Sequence, residues 1–235
     1  SREVSRLLLT ASGGPFRTYG KARLAGVTAA DALRHPTWQM GKKITIDSAS
    51  LFNKGLEVME AAYLFHLPGE KIEVLIHPES VVHSLVEFAD GSTIAQLSAP
   101  DMRLPIQYAL MLTERRAAGF GGLDLAKAGT LHFEAPDFDR FPALPLAYAA
   151  LKEGGALPIA YNGANEVAAA LFLKGKLGFL EIPVLVEHAM AKIGRGRPQT
   201  LSDVLAIDAA ARRLAQERAV RIDTHIAGKL ERKGT

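Results

Sequence analysis

The residues best able to do chemistry gather between Asp47 and Glu57, in the run DSASLFNKGLE. Ser48 offers a hydroxyl, Asn53 an amide, Lys54 a full positive charge and Glu57 a carboxylate. Asn53 and Glu57 are four residues apart and Lys54 and Glu57 three apart, so on a helix they share one face. Where a strand hands over to a helix, backbone N–H groups and the positive end of the helix dipole add to these donors. That combination suits an anion such as a phosphate. Glu57 could also serve an oxygen-liganded cation, although one carboxylate is too few by itself. Gly55 costs about 1 kcal/mol relative to alanine inside a helix, which predicts that a ligand or a neighbouring backbone comes close there. The plainer reading is a capped surface helix carrying a Lys–Glu pair worth only about a few tenths of a kcal/mol.

Three other segments bear on that choice. Ser12-Gly13-Gly14 closes the apolar run VSRLLLT, and a glycine turn of this kind can aim N–H groups at an anion. It can equally be no more than a turn. RHPTWQMG puts His35, the only tryptophan (Trp38), Met40 and Gly41 in one loop. Such a loop suits a lid that excludes water, or a tryptophan folded back on the core. SAPDMRLP places Asp101 as a helix N-cap and Met102 beside it. His77 and His83 lie six apart around a proline and form no zinc pattern, while His132, His188 and His225 read as isolated surface or packing residues. Neither a dinucleotide glycine fingerprint nor a phosphate-binding P-loop occurs.

The elements that must hold these residues alternate in type. Val4–Thr10 reads as a buried strand, Thr28–Arg34 as a short helix with a Thr28/Asp31 capping box, and KITID as a strand feeding a helix that runs to about His66. KIEVLIHP, VVHSLVEF and STIAQLSA are strand-like, the last two joined by Asp90-Gly91, a hairpin signal. The fold class is therefore α/β (or α+β) with a mixed sheet, followed by a linker and a four-helix-bundle-like all-α part. The expected divisions are 1–111, a linker 112–140, a helical bundle 141–222 and a basic tail 223–235. Bundle helices are predicted at Leu144–Glu153, Gly163–Leu173, Ile182–Ile193 and Ser202–Arg221, with Ser202 as an N-cap.

Composition narrows the class. With 48% apolar and 23% charged residues among 235, the chain is that of a globular protein. Its formal charge of +3 is concentrated after Arg195, without the aromatic interleaving of an RNA-binding sheet, so nucleic acid is not an expected partner. The absence of cysteine removes disulfides, thiolate nucleophiles and thiolate metal sites. No apolar run approaches the roughly 18 residues of a membrane span, and no cleavable signal opens the chain, so a cytoplasmic location is expected.

Taken together, LTASGGPFR, HPTWQMGKKITIDSASLFNKGLE, IHPESVVHS and QLSAPDMRLPI resemble the 1-deoxy-D-xylulose 5-phosphate reductoisomerase family, from about Val4 to about Arg221. The resemblance implies an NADPH-binding domain, a central domain for substrate and divalent metal, and a C-terminal helical bundle, of which this chain resembles the last two. It implies rearrangement and NADPH-dependent reduction of 1-deoxy-D-xylulose 5-phosphate to 2-C-methyl-D-erythritol 4-phosphate, and a homodimer. By matching position, Ser12, His35, Ser48, Asn53 and Lys54 would hold the phosphate, and Glu57 would bind Mg²⁺, Mn²⁺ or Co²⁺. Trp38 would be the lid, Met40, Gly41 and Met102 would lie near the cofactor, and His83 would support the site. The family's aspartate-serine-glutamate run, source of the other metal ligands, does not occur here, so the chain alone is expected to be inactive. A sugar-phosphate-binding module without catalysis is the alternative.

Overall fold

The computed structural model describes residues 3–34, 38, 40–112, 114–117 and 119–231, the stretch 223–231 by its backbone alone. Strand β1 (Val4–Ala11) enters first, followed by short helices α1 (Lys21–Leu24) and α2 (Ala29–Ala32). Helices α3 (Lys42–Ser50) and α4 (Phe52–Phe65) then lead to strands β2 (Ile72–Ile76), β3 (Val82–Phe88) and β4 (Thr93–Leu97). The sheet order is β2-β1-β3-β4. β1 runs parallel to β2, because four helices intervene, and antiparallel to β3. β3 and β4 form the expected hairpin, with Gly91 at φ +84° and the Asp90 carboxylate accepting from Ser92 N at 2.9 Å. The capping box of α2 is also as expected, Thr28 and Asp31 satisfying each other's backbone N–H groups.

Helix α5 (Arg103–Leu110) and the one-turn helix α6 (Leu125–Ala128) lie on either side of irregular chain. After α6 the chain returns to the sheet at Glu134, whose N–H and C=O exchange hydrogen bonds with Ile76 at 2.9 and 2.8 Å. Helices α7 (Ala143–Glu153), α8 (Ala156–Leu173), α9 (Glu181–Ile193) and α10 (Leu201–Glu231) follow. Alanines at their contacts, including Ala147, Ala160, Ala164, Ala189 and Ala211, are fully buried and let the helix backbones approach. A single apolar cluster joins Ile46, Phe52 and Val58 of α3 and α4 to Ala147, Tyr161 and Leu185 of the following helices. The helices carrying the candidate chemistry are thus seated on the bundle as well as on the sheet.

Three local expectations are corrected. KITID is helical, not a strand: its β-branched residues favour strand, but burial of Thr45, Ile46, Ala49 and Ser50 along one side of α3 outweighs propensity. Helix α8 starts at Ala156 rather than Gly163, with Pro158 in the first turn, where its missing N–H leaves no intrahelical bond unmade. Thr200, not Ser202, caps α10: Asp203 N donates to Thr200 Oγ1 at 3.2 Å, and the Asp203 carboxylate accepts from Gln199 N and Thr200 N, each at 2.9 Å. That helix also continues past Arg221 to Glu231.

Candidate active site

The site helix is in fact two helices. Leu51 adopts a left-handed conformation (φ +64°), ending α3 and starting α4 within one residue. Ser48 therefore sits in the last turn of α3, not at the junction of a strand and a helix, and the dipole expected beneath it belongs instead to α4. Asn53 and Lys54 occupy the first turn of α4, where the leading N–H groups have no intrahelical acceptor. Ser12 reaches the same place through the glycine turn. Gly13 and Gly14 have φ of +80° and +65°, and a Cβ on Gly14 would lie 2.8 Å from Ala49 Cα and 3.1 Å from Ser48 O. Only glycine lets the turn after β1 press its backbone against α3, and Ser12 and Ser48 line the same cavity. The Ser12 hydroxyl accepts from Gly14 N at 3.2 Å and so helps to shape that turn.

Ser12, Trp38, Met40, Ser48, Asn53, Lys54, Glu57, His83 and Met102 line one cavity of about 690 Å³, a size suited to a small organic ligand. Lys54 is 12% exposed and ion-paired to Glu57, whose carboxylate also accepts from Asn53 Nδ2 at 2.6 Å. A strong anion entering the cavity would compete with Glu57 for both donors. Trp38 and Met40 are half-buried on the cavity wall, whereas Met102 is 57% exposed. Gly41 is the N-cap of α3 rather than a lining residue, and His35 lies outside the described residues. His83 is held on three sides, its Nε2 3.0 Å from Ser80 O and its Nδ1 3.0 Å from Gln96 Oε1 and 3.3 Å from Ser98 Oγ.

The expectation for Gly55 is corrected: side chains, neither a ligand nor a backbone, take the space. A backbone group does not approach it; a Cβ there would meet the Tyr161 hydroxyl at 2.2 Å and Ala147 Cβ at 2.9 Å. Gly55 is buried against the bundle and does not line the cavity. His132 is not isolated either: its Nδ1 is 2.6 Å from Glu79 Oε1. The cavity also includes Thr10, Ser80, Gln96, Tyr108 and Arg115, none of which the sequence singled out. Ser80 and Gln96 stand inside quoted motifs, so only their direction was hidden. Arg115 lies in irregular chain without a local pattern, its guanidinium 4.4 Å over the Tyr108 ring.

Beneath the site Asp47 is 2% exposed, paired with Lys43 Nζ at 2.5 Å and accepting from Asn165 Nδ2 at 3.0 Å. Burial raises its pKa above the ordinary carboxylate value, partly offset by Lys43. Asp101 is held the other way: hydrogen bonds from the Arg103 side chain keep its carboxyl below the ordinary value. It accepts from Arg103 N at 2.9 Å, one residue before the assigned cap Met102. Among the described residues no three His, Asp or Glu side chains converge on a point that could hold a metal ion. As a complete metal site these residues do not fit, and Glu57 could supply one ligand only.

Two family models match the chain: the DXP reductoisomerase C-terminal domain over residues 97–214, and the 1-deoxy-D-xylulose 5-phosphate reductoisomerase C-terminal domain over residues 1–65. The chain belongs to the 1-deoxy-D-xylulose 5-phosphate reductoisomerase family. A member from Xanthomonas campestris pv. campestris (strain 8004) is 57% identical over 92% of this chain and 54% of its own length. One from Acetivibrio thermocellus is 50% identical, over 92% of this chain and 57% of its own length. The chain thus spans about half the length of the curated reductoisomerases it matches. The solved reductoisomerase from Zymomonas mobilis in complex with NADPH superposes with a TM-score of 0.86 at 47% identity, over 92% of this chain and 55% of that one. A reductoisomerase in complex with NADPH, fosmidomycin and magnesium gives 0.88 at 41% identity, over 94% and 56%. The mixed sheet and following helices are thus the reductoisomerase architecture over this part of the family's length.

Proposed function

We propose that this chain forms the substrate-facing part of an enzyme that rearranges and reduces 1-deoxy-D-xylulose 5-phosphate to 2-C-methyl-D-erythritol 4-phosphate, a step in isoprenoid biosynthesis. The observation that carries this reading is the convergence of Ser12, Ser48, Asn53, Lys54 and Glu57, from separate segments, on one cavity. The hydroxyls of Ser12 and Ser48, the Asn53 amide and the Lys54 ammonium hold the substrate phosphate, with His35 closing from its loop. Charge-assisted hydrogen bonds of this kind are stronger than neutral ones and favour a dianion over a neutral sugar. Phosphate binding draws Asn53 and Lys54 from Glu57, leaving that carboxylate available as one metal ligand. Trp38 covers the substrate and excludes water, Met40, Gly41 and Met102 border the nicotinamide side, and His83 supports the wall. In family members NADPH supplies hydride and a divalent cation, magnesium or manganese, polarises the reacting oxygens.

The same reading takes residues 1–111 as the catalytic part, 112–140 as a linker, 141–222 as the bundle and 223–235 as a tail, in a cytoplasmic homodimer. Among the described residues no helix is long and apolar enough to cross a membrane. With no three carboxylate or imidazole groups gathered for a metal among the described residues, the chain by itself binds sugar phosphate without turnover, which is also where the binding-module alternative leads.

The test is calorimetric titration of 1-deoxy-D-xylulose 5-phosphate into the chain and into Lys54→Ala. Loss of one charged hydrogen bond, about 1.5–3 kcal/mol, predicts binding weaker by roughly tenfold to a hundredfold. Equal affinity of the two would remove the phosphate role, and steady NADPH oxidation by the pure chain with Mn²⁺ would overturn its inactivity.

A further inference from the structure

His77 is fully buried and has no part in the proposed site, yet it touches everything that shapes one wall of it. Its Nε2 lies 3.1 Å from both Val81 N and Val82 N. Backbone N–H groups can only donate, so Nε2 carries a lone pair and the ring hydrogen sits on Nδ1. That hydrogen is donated to His132 O at 2.8 Å, with Glu79 Oε2 3.1 Å away. The ring stacks on Phe133 at 4.6 Å between centroids. Its own backbone N–H donates to Ala11 O at 2.7 Å, immediately before Ser12. The imidazole therefore closes the turn 77–82 from inside, as an extra acceptor that the backbone could not supply.

That turn is strained. Ser80 holds φ +52°, a left-handed conformation uncommon for a residue with a Cβ, and is buried on the cavity wall. Its N–H donates to His77 O at 3.1 Å, and its carbonyl receives His83 Nε2 at 3.0 Å. The path from buried ring to cavity is thus continuous: His77 fixes the turn, the turn fixes the Ser80 carbonyl, and that carbonyl fixes the His83 ring.

We propose that His77 is a positioning residue whose buried imidazole locks the left-handed turn at Ser80 and thereby sets the orientation and ring tautomer of His83 at the cavity. The proposal stands apart from the reductoisomerase reading, since it concerns a wall of the cavity whatever ligand fills it. Its readout is the histidine ring nitrogens of the ¹⁵N-histidine-labelled chain, correlated to ring protons by NMR. In the unaltered chain His83 shows a protonated, pyrrole-type Nε2 facing Ser80 O, its Nδ1 lone pair accepting from the Ser98 hydroxyl and from the Gln96 amide once that amide is turned to present its NH₂ in place of Oε1. The Val81 and Val82 amides exchange as slowly as those of β1. His77→Gln keeps an acceptor near the Nε2 position and retains the His83 signature. His77→Asn is too short to reach both N–H groups, so the signature is lost to averaging between tautomers. A His83 signature unchanged in folded His77→Asn, or lost equally in His77→Gln and His77→Asn, would overturn the proposal. Should His77→Asn fail to fold, exchange in the unaltered chain decides: Val81 and Val82 amides exchanging as fast as the Asp90–Ser92 hairpin turn would overturn it.

Discussion

Gly55→Ala places a methyl group where α4 crosses the bundle, and its cost can be worked from the contacts. In an exposed helix interior this substitution stabilises by about 1 kcal/mol, because alanine loses less backbone freedom than glycine. Here the new Cβ would lie 2.2 Å from the Tyr161 hydroxyl, 3.2 Å from Tyr161 Cζ and 2.9 Å from Ala147 Cβ. Tyr161 is fully buried and cannot swing aside, and its hydroxyl donates to Ala143 O at 3.2 Å. Overpacking a close-packed core costs about 1–3 kcal/mol. Displacing the Tyr161 hydroxyl from its acceptor adds about 1–3 kcal/mol more. Against the helix gain, the net destabilisation is about 1–5 kcal/mol, or roughly 2–20 °C in Tm for a chain of this size. Thermal unfolding by circular dichroism measures it. Tyr161→Phe removes the nearest clashing atom, so Gly55→Ala should cost less in that background than in the native one, a coupling that a double-mutant cycle reads directly. The reasoning fails if Gly55→Ala raises Tm, or if the Tyr161→Phe background leaves its cost unchanged.

Other consequences follow from particular residues. Asp47→Asn removes a carboxylate whose folded pKa is raised, mainly by burial. A raised folded pKa gives stability that is present below the unfolded value and lost as pH rises through the folded one. Asp47→Asn should therefore gain on the native chain between about pH 4 and about pH 7, helped by a new amide donor near Asn165 Oδ1, which has no partner among the described residues. Urea unfolding at the two pH values checks this, and a difference independent of pH would refute it. Thr200→Ala should cost about 1 kcal/mol as the loss of a true N-cap, while Ser202→Ala should stay within roughly 0.5 kcal/mol of native. Equal effects in denaturant melts would show that Thr200 does not cap α10.

Much of the site was readable before any tertiary contact was known, because its chemistry is local. Asn53, Lys54 and Glu57 fall on one face through helix periodicity alone, and the Thr28 box and the Asp90-Gly91 hairpin depend on neighbours a few residues away. The fold class followed from the same local periods: strand-like runs, a turn-rich stretch, then helical spacing. Other features were decided elsewhere in the chain. KITID has the composition of a strand and became helix α3 because burying Ile46 and Ala49 beside the bundle outweighs β propensity. Gly55 looked like room for a ligand and is room for Tyr161, more than a hundred residues later.

Sequence by itself determined which functional groups were available and which of them could share a helix face, since these depend on residue type and on a fixed helical repeat. It also determined the family, because four separated motifs in order carry more information than any one. Only the tertiary structure decided that Ser12 and Ser48 line one cavity, with the glycine turn after Ser12 pressed against α3. Only it linked His77 to His83 through the turn at Ser80, and split the site helix at a left-handed Leu51. The physical reason is the same in each case. Such arrangements are fixed by close packing and buried hydrogen bonds between segments distant in sequence, and those energies leave no periodic mark on the residues that supply them.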